Sequence, residues 1–423
     1  MSSAVKCLIV LAIVALLFIT ELIPLAITAM GGAIACGLLG FIPAQQVFSG
    51  LSDSTVVLFA GMFVVGAALF HTGLAQKIGI GIVKISGTKE SSLMFGIMVV
   101  SAALSSCLSN TGTAACLMPV VLGICAAAKI PASRQLMPLA YAAGIGGVIT
   151  MVGTPPNIIV SGVLTSFGYE SFSFFEFAWI GIPLTFVVIA YMMFIGKYLL
   201  PKAELDADQE IEQEIEATVT DSKKQIVSGL ILAVCIIVMA LDLKAISLEM
   251  TAIVGALVCV LTGCLTEKQA YSAIDWVTIF LFAGMMPVSA AMDKTGAGKL
   301  IAEWAVSLMG GSPTPIIMTS VLFISSCTLT QFMSNTAACA LLAPVGVAIS
   351  QQLGASPKAV LMAIGVAASC AFATPVGTPP CTLVLGPGGY KFMDYVKVGV
   401  PLVVLCFIVS IIVIPMVWPF FPG

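Results

Sequence analysis

The sequence predicts an all-α polytopic membrane protein made of two inverted repeats, each with five spans and a re-entrant helical hairpin. Three observations predict it. First, 60% of the 423 residues are hydrophobic, only 9% are charged and the mean hydropathy is +1.14. No water-soluble domain carries this without a very large exposed apolar surface, so the solvent is lipid. The chain supplies about ten apolar runs of the roughly 20 residues a helical span needs, and the alternating pattern of a membrane barrel is absent.

Second, the chain is one unit written twice. Thr28, Gln46, Leu58–Gly61 and Thr72-Gly73 align with Thr251, Gln269, Leu281–Gly284 and Thr295-Gly296 at an offset of 223, and Ser109-Asn110-Thr111 aligns with Ser334-Asn335-Thr336 at 225. Gly153-Thr154-Pro155-Pro156 then matches Gly377-Thr378-Pro379-Pro380, and Gly181-Ile182-Pro183-Leu184 matches Gly399-Val400-Pro401-Leu402. Fixed-register self-similarity of this kind marks internal repeats. Third, the basic residues segregate. With the N-terminus outside, Lys77, Lys84, Lys89, Lys129, Arg134, Lys197, Lys202, Lys223, Lys224, Lys268, Lys391 and Lys397 lie inside, and Lys6, Lys244, Lys294, Lys299 and Lys358 outside. Twelve of 17 on the inner side places both termini outside.

In chain order, the first repeat (1–200) has spans at about 5–21, 24–41 and 54–70, an interfacial stretch to 90, a hairpin at about 91–128, a broken span at about 135–166 and a last span at 178–200. The run Leu8–Thr20 has only Lys6 ahead of it and no small-residue cleavage site before Glu21, so a retained span is expected, not a signal peptide. In the hairpin, Ser109-Asn110-Thr111-Gly112 interrupts an apolar stretch. Polar helix-breakers at that depth fit a re-entrant loop buried in protein. With the hairpin not crossing, each repeat has an odd number of spans and the second is inverted. Residues 201–225 form an acidic linker, with eight of the twenty acidic residues between Glu204 and Asp221, expected as a cytoplasmic solvated helix or disordered segment. The second repeat (226–423) has spans at 226–242, 246–264 and 276–292, a hairpin at about 314–353, a broken span at about 358–390 and a last span at 396–419.

Four irregular segments recur at matching places: the two Ser-Asn-Thr turns and the two Gly-Thr-Pro-Pro breaks. Broken helices in corresponding positions of two halves point to a transporter site. A break leaves N–H groups and carbonyls without helical partners. Free N–H groups at helix starts attract an anion, while carbonyls with Ser, Thr and Asn oxygens attract a hard cation such as Na⁺. The prolines hold the breaks open because they cannot donate to the preceding turn. Scattered residues such as Ser101, Gly144 and Gly365 read as aids to helix packing. Asn110 and Asn335 do not, since a buried amide is costly unless satisfied. His71, the only histidine, reads as a residue of the membrane face, and Glu21 as either a helix-turn residue or a functional one.

Absences exclude classes. No Asp, Glu, Lys or Arg falls clearly inside a crossing, which argues against proton relay by buried carboxylates and against an aspartyl protease. A single histidine leaves no Ser-His dyad and no histidine metal site. The thirteen cysteines lie almost wholly in apolar runs without paired spacing and read as small core hydrophobes. A membrane enzyme therefore lacks a nucleophile or metal, and a channel would be blocked by hairpins meeting at the midplane.

These residues resemble the divalent anion/sodium symporter family, the INDY-type carriers of dicarboxylates, citrate and sulfate. The likeness rests on the paired Ser-Asn-Thr motifs, on Thr20-Glu21-Leu22-Ile23-Pro24-Leu25-Ala26, and on Ser369-Cys370-Ala371-Phe372-Ala373-Thr374-Pro375-Val376-Gly377-Thr378-Pro379-Pro380. It implies one Na⁺ site from Ser105, Ser109, Asn110 and the Gly153 carbonyl, and a mirror site from Thr330, the Met333 carbonyl, Asn335 and the Gly377 carbonyl. It implies substrate carboxylates held by Ser109, Asn110 and Thr111 from one side and by Ser334, Asn335, Thr336, Thr378 and Pro379 from the other. It further implies a homodimer in a bacterial inner membrane, whose transport domain slides as an elevator against a scaffold. Two departures stand out: Cys381 occupies the place where an asparagine, like Asn157 of the first break, is usual, and an extra N-terminal span of some members is missing. The expected function is sodium-coupled symport of a small divalent anion, most simply a C4-dicarboxylate such as succinate or malate. A sodium-independent exchanger, or a sulfate or citrate carrier of the same fold, is the alternative.

Overall fold

The computed structural model describes residues 2–86, 89–201, 222–241, 246–311 and 313–421, with the backbone alone over 82–86. Most of the 201–225 linker lies outside these residues. Among the described residues the chain is helical throughout, without a strand. Among the described residues eight helices are long and apolar enough to cross a membrane: Ser3–Thr20, Ser54–His71, Asn110–Ala128, Ala178–Leu199, Ser222–Ala240, Trp276–Thr295, Asn335–Leu353 and Phe392–Val417. Shorter apolar helices complete the set, among them Leu25–Leu38, Glu90–Ser105, Leu248–Leu261, Pro315–Thr330 and Pro357–Ser369. Their outer faces carry large bare hydrophobes, with Leu38 and its counterpart Leu261 both 84% exposed. Such a surface is stable only against lipid. All thirteen cysteines are free, and eleven are buried.

Sequence dictates where the helices stop and start. Asp53 accepts from the Thr55 N–H (2.8 Å), and Thr266 with Gln269 forms a capping box. The stretches after the third span of each repeat are amphipathic helices, Leu74–Ser86 and Ala297–Leu308. Each hairpin is a pair of helices, Glu90–Ser105 with Asn110–Ala128 and Pro315–Thr330 with Asn335–Leu353. Each broken span is a helix, an irregular segment and a second helix: Leu136–Gly146 then Pro155–Ser166, and Pro357–Ser369 then Pro379–Leu385. Thr154 (φ −142°, ψ 143°) and Thr378 (φ −147°, ψ 137°) are both extended, as a residue before proline must be.

The two halves make the same contacts at matched positions. Leu25–Leu38 packs along Trp276–Thr295, and Leu248–Leu261 packs along Ser54–His71. At these crossings a Cβ on Gly61 would lie 2.7 Å from Ala252 C and one on Gly284 2.6 Å from Ala29 C, so glycine is what lets the backbones meet. The outgoing arm of each hairpin is hydrogen-bonded to its broken span in the same register. Ser101 Oγ donates to Leu139 O (3.0 Å) and Ser326 Oγ to Ile364 O (2.9 Å), while Ser105 Oγ donates to Ala143 O (2.7 Å) and Thr330 Oγ1 to Ala368 O (2.9 Å). The last spans press on the breaks, since a Cβ on Gly181 would lie 2.7 Å from Ile149 Cα and one on Gly399 2.8 Å from Ala373 Cα. Buried tyrosines tie the halves together: Tyr141 Oη donates to Phe372 O (2.7 Å) and Tyr191 Oη to Val398 O (2.8 Å).

Polar clusters gather at two places. Arg134 pairs with Glu90 (2.7 Å) and donates to the Lys197 and Leu200 carbonyls, while Tyr390 Oη donates to Ser133 O (2.7 Å). Lys358 pairs with Glu170 (3.5 Å) and Glu176 (3.7 Å), and Trp418 Nε1 donates to Glu176 (2.8 Å).

Candidate functional site

The hairpin tips and the breaks converge on one cavity of about 270 Å³, a volume suited to a small metabolite. Ser109–Gly112 and Gly153 line it from the first half, and Asn335, Thr336 and Thr378–Pro380 from the second. Four helices therefore begin at its wall, at Asn110, Pro155, Asn335 and Pro379. A helix start carries a partial positive charge and unpaired N–H groups. The Ser-Asn-Thr turns place serine at each N-cap, where Ser109 Oγ accepts from the Gly112 N–H (3.0 Å) and Ser334 Oγ from the Ala337 N–H (3.1 Å). An accepting hydroxyl keeps its own proton for a ligand. Among the described residues no Lys or Arg lines the cavity, so the helix ends are its main source of partial positive charge.

Asn110, 7% exposed, lines the cavity and holds its amide against a cluster of oxygens. One end of its amide sits 2.7 Å from Ser105 Oγ, 3.0 Å from Gly153 O and 3.2 Å from Ala143 O. The other end lies 3.4 Å from both Gly144 O and Thr154 Oγ1. With nitrogen at the first end, the amide donates to its oxygen neighbours. With oxygen there, four oxygens crowd together, and a hard cation reconciles them. Asn110 thus touches both Ser105 and Gly153, with Ser109 beside it as the cap. Gly147 makes the arrangement fit, because a Cβ there would collide with the Asn110 amide and stand 2.8 Å from Gly153 O.

The second half departs from this symmetry. Asn335 Oδ1 accepts from the N–H (2.8 Å) and Oγ1 (3.3 Å) of its own neighbour Thr336, instead of folding back toward Thr330. Thr330 is fully buried on Ala368 O, and its carbonyl rests against Gly377. Met333 is buried, and its N–H donates to Leu329 O (3.1 Å). The residue aligned with Gly147 is Ala371, which carries a methyl group where the first half has none, 2.9 Å from where a Cβ on Gly377 would lie.

Of the residues the sequence singled out, Ser109, Asn110, Thr111, Gly153, Asn335, Thr336, Thr378 and Pro379 line the cavity. Ser105, Thr330, Met333, Ser334 and Gly377 stand outside its lining. Sequence reasoning missed Thr154 and Gly147, which the alignment of Gly147 with Ala371 could have flagged. The sequence places His71 at a membrane face, and in the structure this exposed residue lines the cavity together with Asp275, the N-cap of Trp276–Thr295, and with Phe59, Phe63 and Phe70.

Comparison with known proteins agrees with this architecture. A family model described as a citrate transporter matches residues 15–336 and 234–421. An uncharacterised transporter of Haemophilus influenzae is 31% identical over 94% of this chain and 88% of its own. The sodium-dependent dicarboxylate transporter SdcS of Staphylococcus aureus is 26% identical over 96% of this chain and 84% of its own. Two solved structures share the fold at a TM-score of 0.63: the Alcanivorax borkumensis YdaH transporter (16% identity, 92% and 89% of the two chains) and Neisseria gonorrhoeae MtrF (15%, 92% and 86%). An integral membrane protein with helix breaks meeting at one cavity, matched over nearly its whole length, the chain belongs to the citrate transporter family of the divalent anion/sodium symporter group.

Proposed function

We propose that this protein is a secondary active transporter that moves a small divalent anion, a C4-dicarboxylate such as succinate or malate, together with Na⁺. The observation that carries the reading is the pairing of two kinds of site: four helix starts around a cavity without Lys or Arg among the described residues, and the Ser105, Ala143 and Gly153 oxygens gathered on the Asn110 amide against its wall. A dianion entering the cavity loses its water, and helix ends of about half a charge each offset only part of that cost. A bound cation supplies the rest. The sodium-dependent dicarboxylate relative supports the same pairing.

The halves act as inverted repeats, with 201–225 as a cytoplasmic linker and both termini outside a bacterial inner membrane. In support, Arg134, Glu90, Lys197 and Tyr390 cluster together and all belong to the inner side of that topology, while Lys358, Glu170, Glu176 and Trp418 cluster and belong to the outer. His71 and Asp275, also on the inner side, lie at the cavity, so the substrate path opens to the cytoplasm in this conformation. Access alternates by an elevator motion of the hairpins and broken spans against a dimeric scaffold.

A sodium-independent exchanger, or a citrate carrier, is the second reading. It is favoured by the Asn110 orientation in which nitrogen satisfies the cluster without a cation. Uptake of radiolabelled succinate, malate and citrate into proteoliposomes, with an inward Na⁺ gradient or with choline, separates the two. Uptake that is equal in both salts removes sodium coupling.

A further inference from the structure

The two breaks are held open by different side chains. In the first, fully buried Asn157 donates through Nδ2 to Thr150 O (2.8 Å), Val148 O (3.3 Å) and Gly147 O (3.4 Å). One amide thus gathers three carbonyls of the turn that leads to Gly153 and Thr154. Backbone carbonyls buried without partners are costly, so this amide sets the shape of the turn. The aligned position in the second half is Cys381, equally buried, whose thiol is a weak donor.

The second break nevertheless has an amide, and it arrives from the opposite side. Gln331 follows the outgoing arm of the second hairpin and is 9% exposed. Its Nε2 donates to Cys370 O (3.2 Å) and Cys327 O (3.0 Å), and its Oε1 accepts from the Ala373 N–H (3.0 Å). Its own carbonyl accepts from Thr374 Oγ1 (2.7 Å), the counterpart of the bond from Thr150 Oγ1 to Ser106 O in the first half. Gln331 aligns with Ser106, which carries no amide.

We propose that Gln331 is the positioning residue of the second break, supplying from the hairpin the amide that Asn157 supplies from the helix in the first. The relocation has a consequence. Gln331 stands three residues before Ser334, so the same short segment carries both the hairpin tip and the clamp on 370–374. Tip and break, which reach the cavity at Asn335 and at Thr378, therefore move as one unit in the second half.

This inference rests on the transport reading, and the experiment keeps the two apart. Uptake of radiolabelled succinate, malate and citrate is measured with wild type, Gln331→Ala, Gln331→Glu and the double variant Gln331→Ala/Cys381→Asn. Gln331→Glu keeps the acceptor for Ala373 but cannot donate to Cys370 when ionised. Both single variants are expected to raise KM at least tenfold, with a smaller change in kcat, because the groups misplaced are those that meet substrate. Restoring an amide at 381 is expected to return KM to within threefold of wild type. General damage would instead lower the amount of active protein at an unchanged KM. Should Gln331→Ala elute as aggregate, recovery of a monodisperse peak in the double variant supports the proposal and its failure opposes it. A wild-type KM in both single variants, or no recovery with Cys381→Asn, overturns the role of Gln331. A wild type that takes up none of the three anions overturns the transport reading itself.

Discussion

Gly147→Ala tests the cation cluster through a single methyl group. The added Cβ would collide with the Asn110 amide and stand 2.8 Å from Gly153 O, a backbone atom that cannot swing aside. Small-to-large changes in a packed interior cost about 1–3 kcal/mol. If that strain falls on the sodium-bound arrangement, at 1.4 kcal/mol per decade the apparent Na⁺ affinity drops by roughly 5- to 150-fold. The thermal midpoint of purified protein, followed as Na⁺ replaces choline at constant ionic strength, reads this directly, because ligand that binds the native state raises stability with its own concentration dependence. The absolute midpoint also falls with the packing strain, so the quantity to compare is the Na⁺ concentration giving half the shift. The second half supplies the control, since Ala371 already stands at the aligned position and Asn335 is turned toward Thr336 there. An unchanged half-shift concentration in Gly147→Ala would mean that the cluster around Asn110 is not where sodium acts.

Three further outcomes follow. On the proposed function, Asn110→Ala and Asn335→Ala each remove a group that meets the anion; at about 1.5–3 kcal/mol for a hydrogen bond to a charge, substrate affinity falls roughly 10- to 150-fold, and normal uptake by either variant would take that hairpin tip out of the site. Raising Na⁺ tightens apparent substrate affinity, and substrate tightens Na⁺ affinity by the same factor; Ser105→Ala weakens substrate binding at low Na⁺ and recovers it at high Na⁺, whereas equal substrate affinity in sodium and choline leaves the exchanger as the better account. A cysteine placed at Gln213, which lies outside the described residues, is labelled only from the cytoplasm, and one at Lys299 only from outside; labelling from one side for both contradicts the inverted count.

Much of the fold was legible because a membrane leaves few options. Runs such as Ser54–His71 have to be helices in lipid, and Pro155-Pro156 or Pro379-Pro380 has to interrupt one. Two helix starts followed from the polar turns at Asn110 and Asn335, each of which opens a helix. What the repeat could not convey is side-chain pose. Aligned motifs imply aligned backbone, and the matched bonds of Ser105 and Thr330 bear this out. The family resemblance adds to this a mirrored pair of cation sites. Yet a cage needs room as well as oxygens, and room is set by residues that carry no recognisable chemistry. Gly147 leaves space for the Asn110 amide, while the methyl of Ala371 stands at the equivalent place and Asn335 closes on Thr336. The same blindness hid Gln331, whose amide becomes meaningful only once the chain brings it to Cys370 and Ala373. It hid as well that His71 and Asp275, from different halves, line one cavity. An inverted repeat thus predicts where a site is built better than it predicts that its two sides are alike, and the unequal residues within equal motifs are where the halves acquire separate tasks.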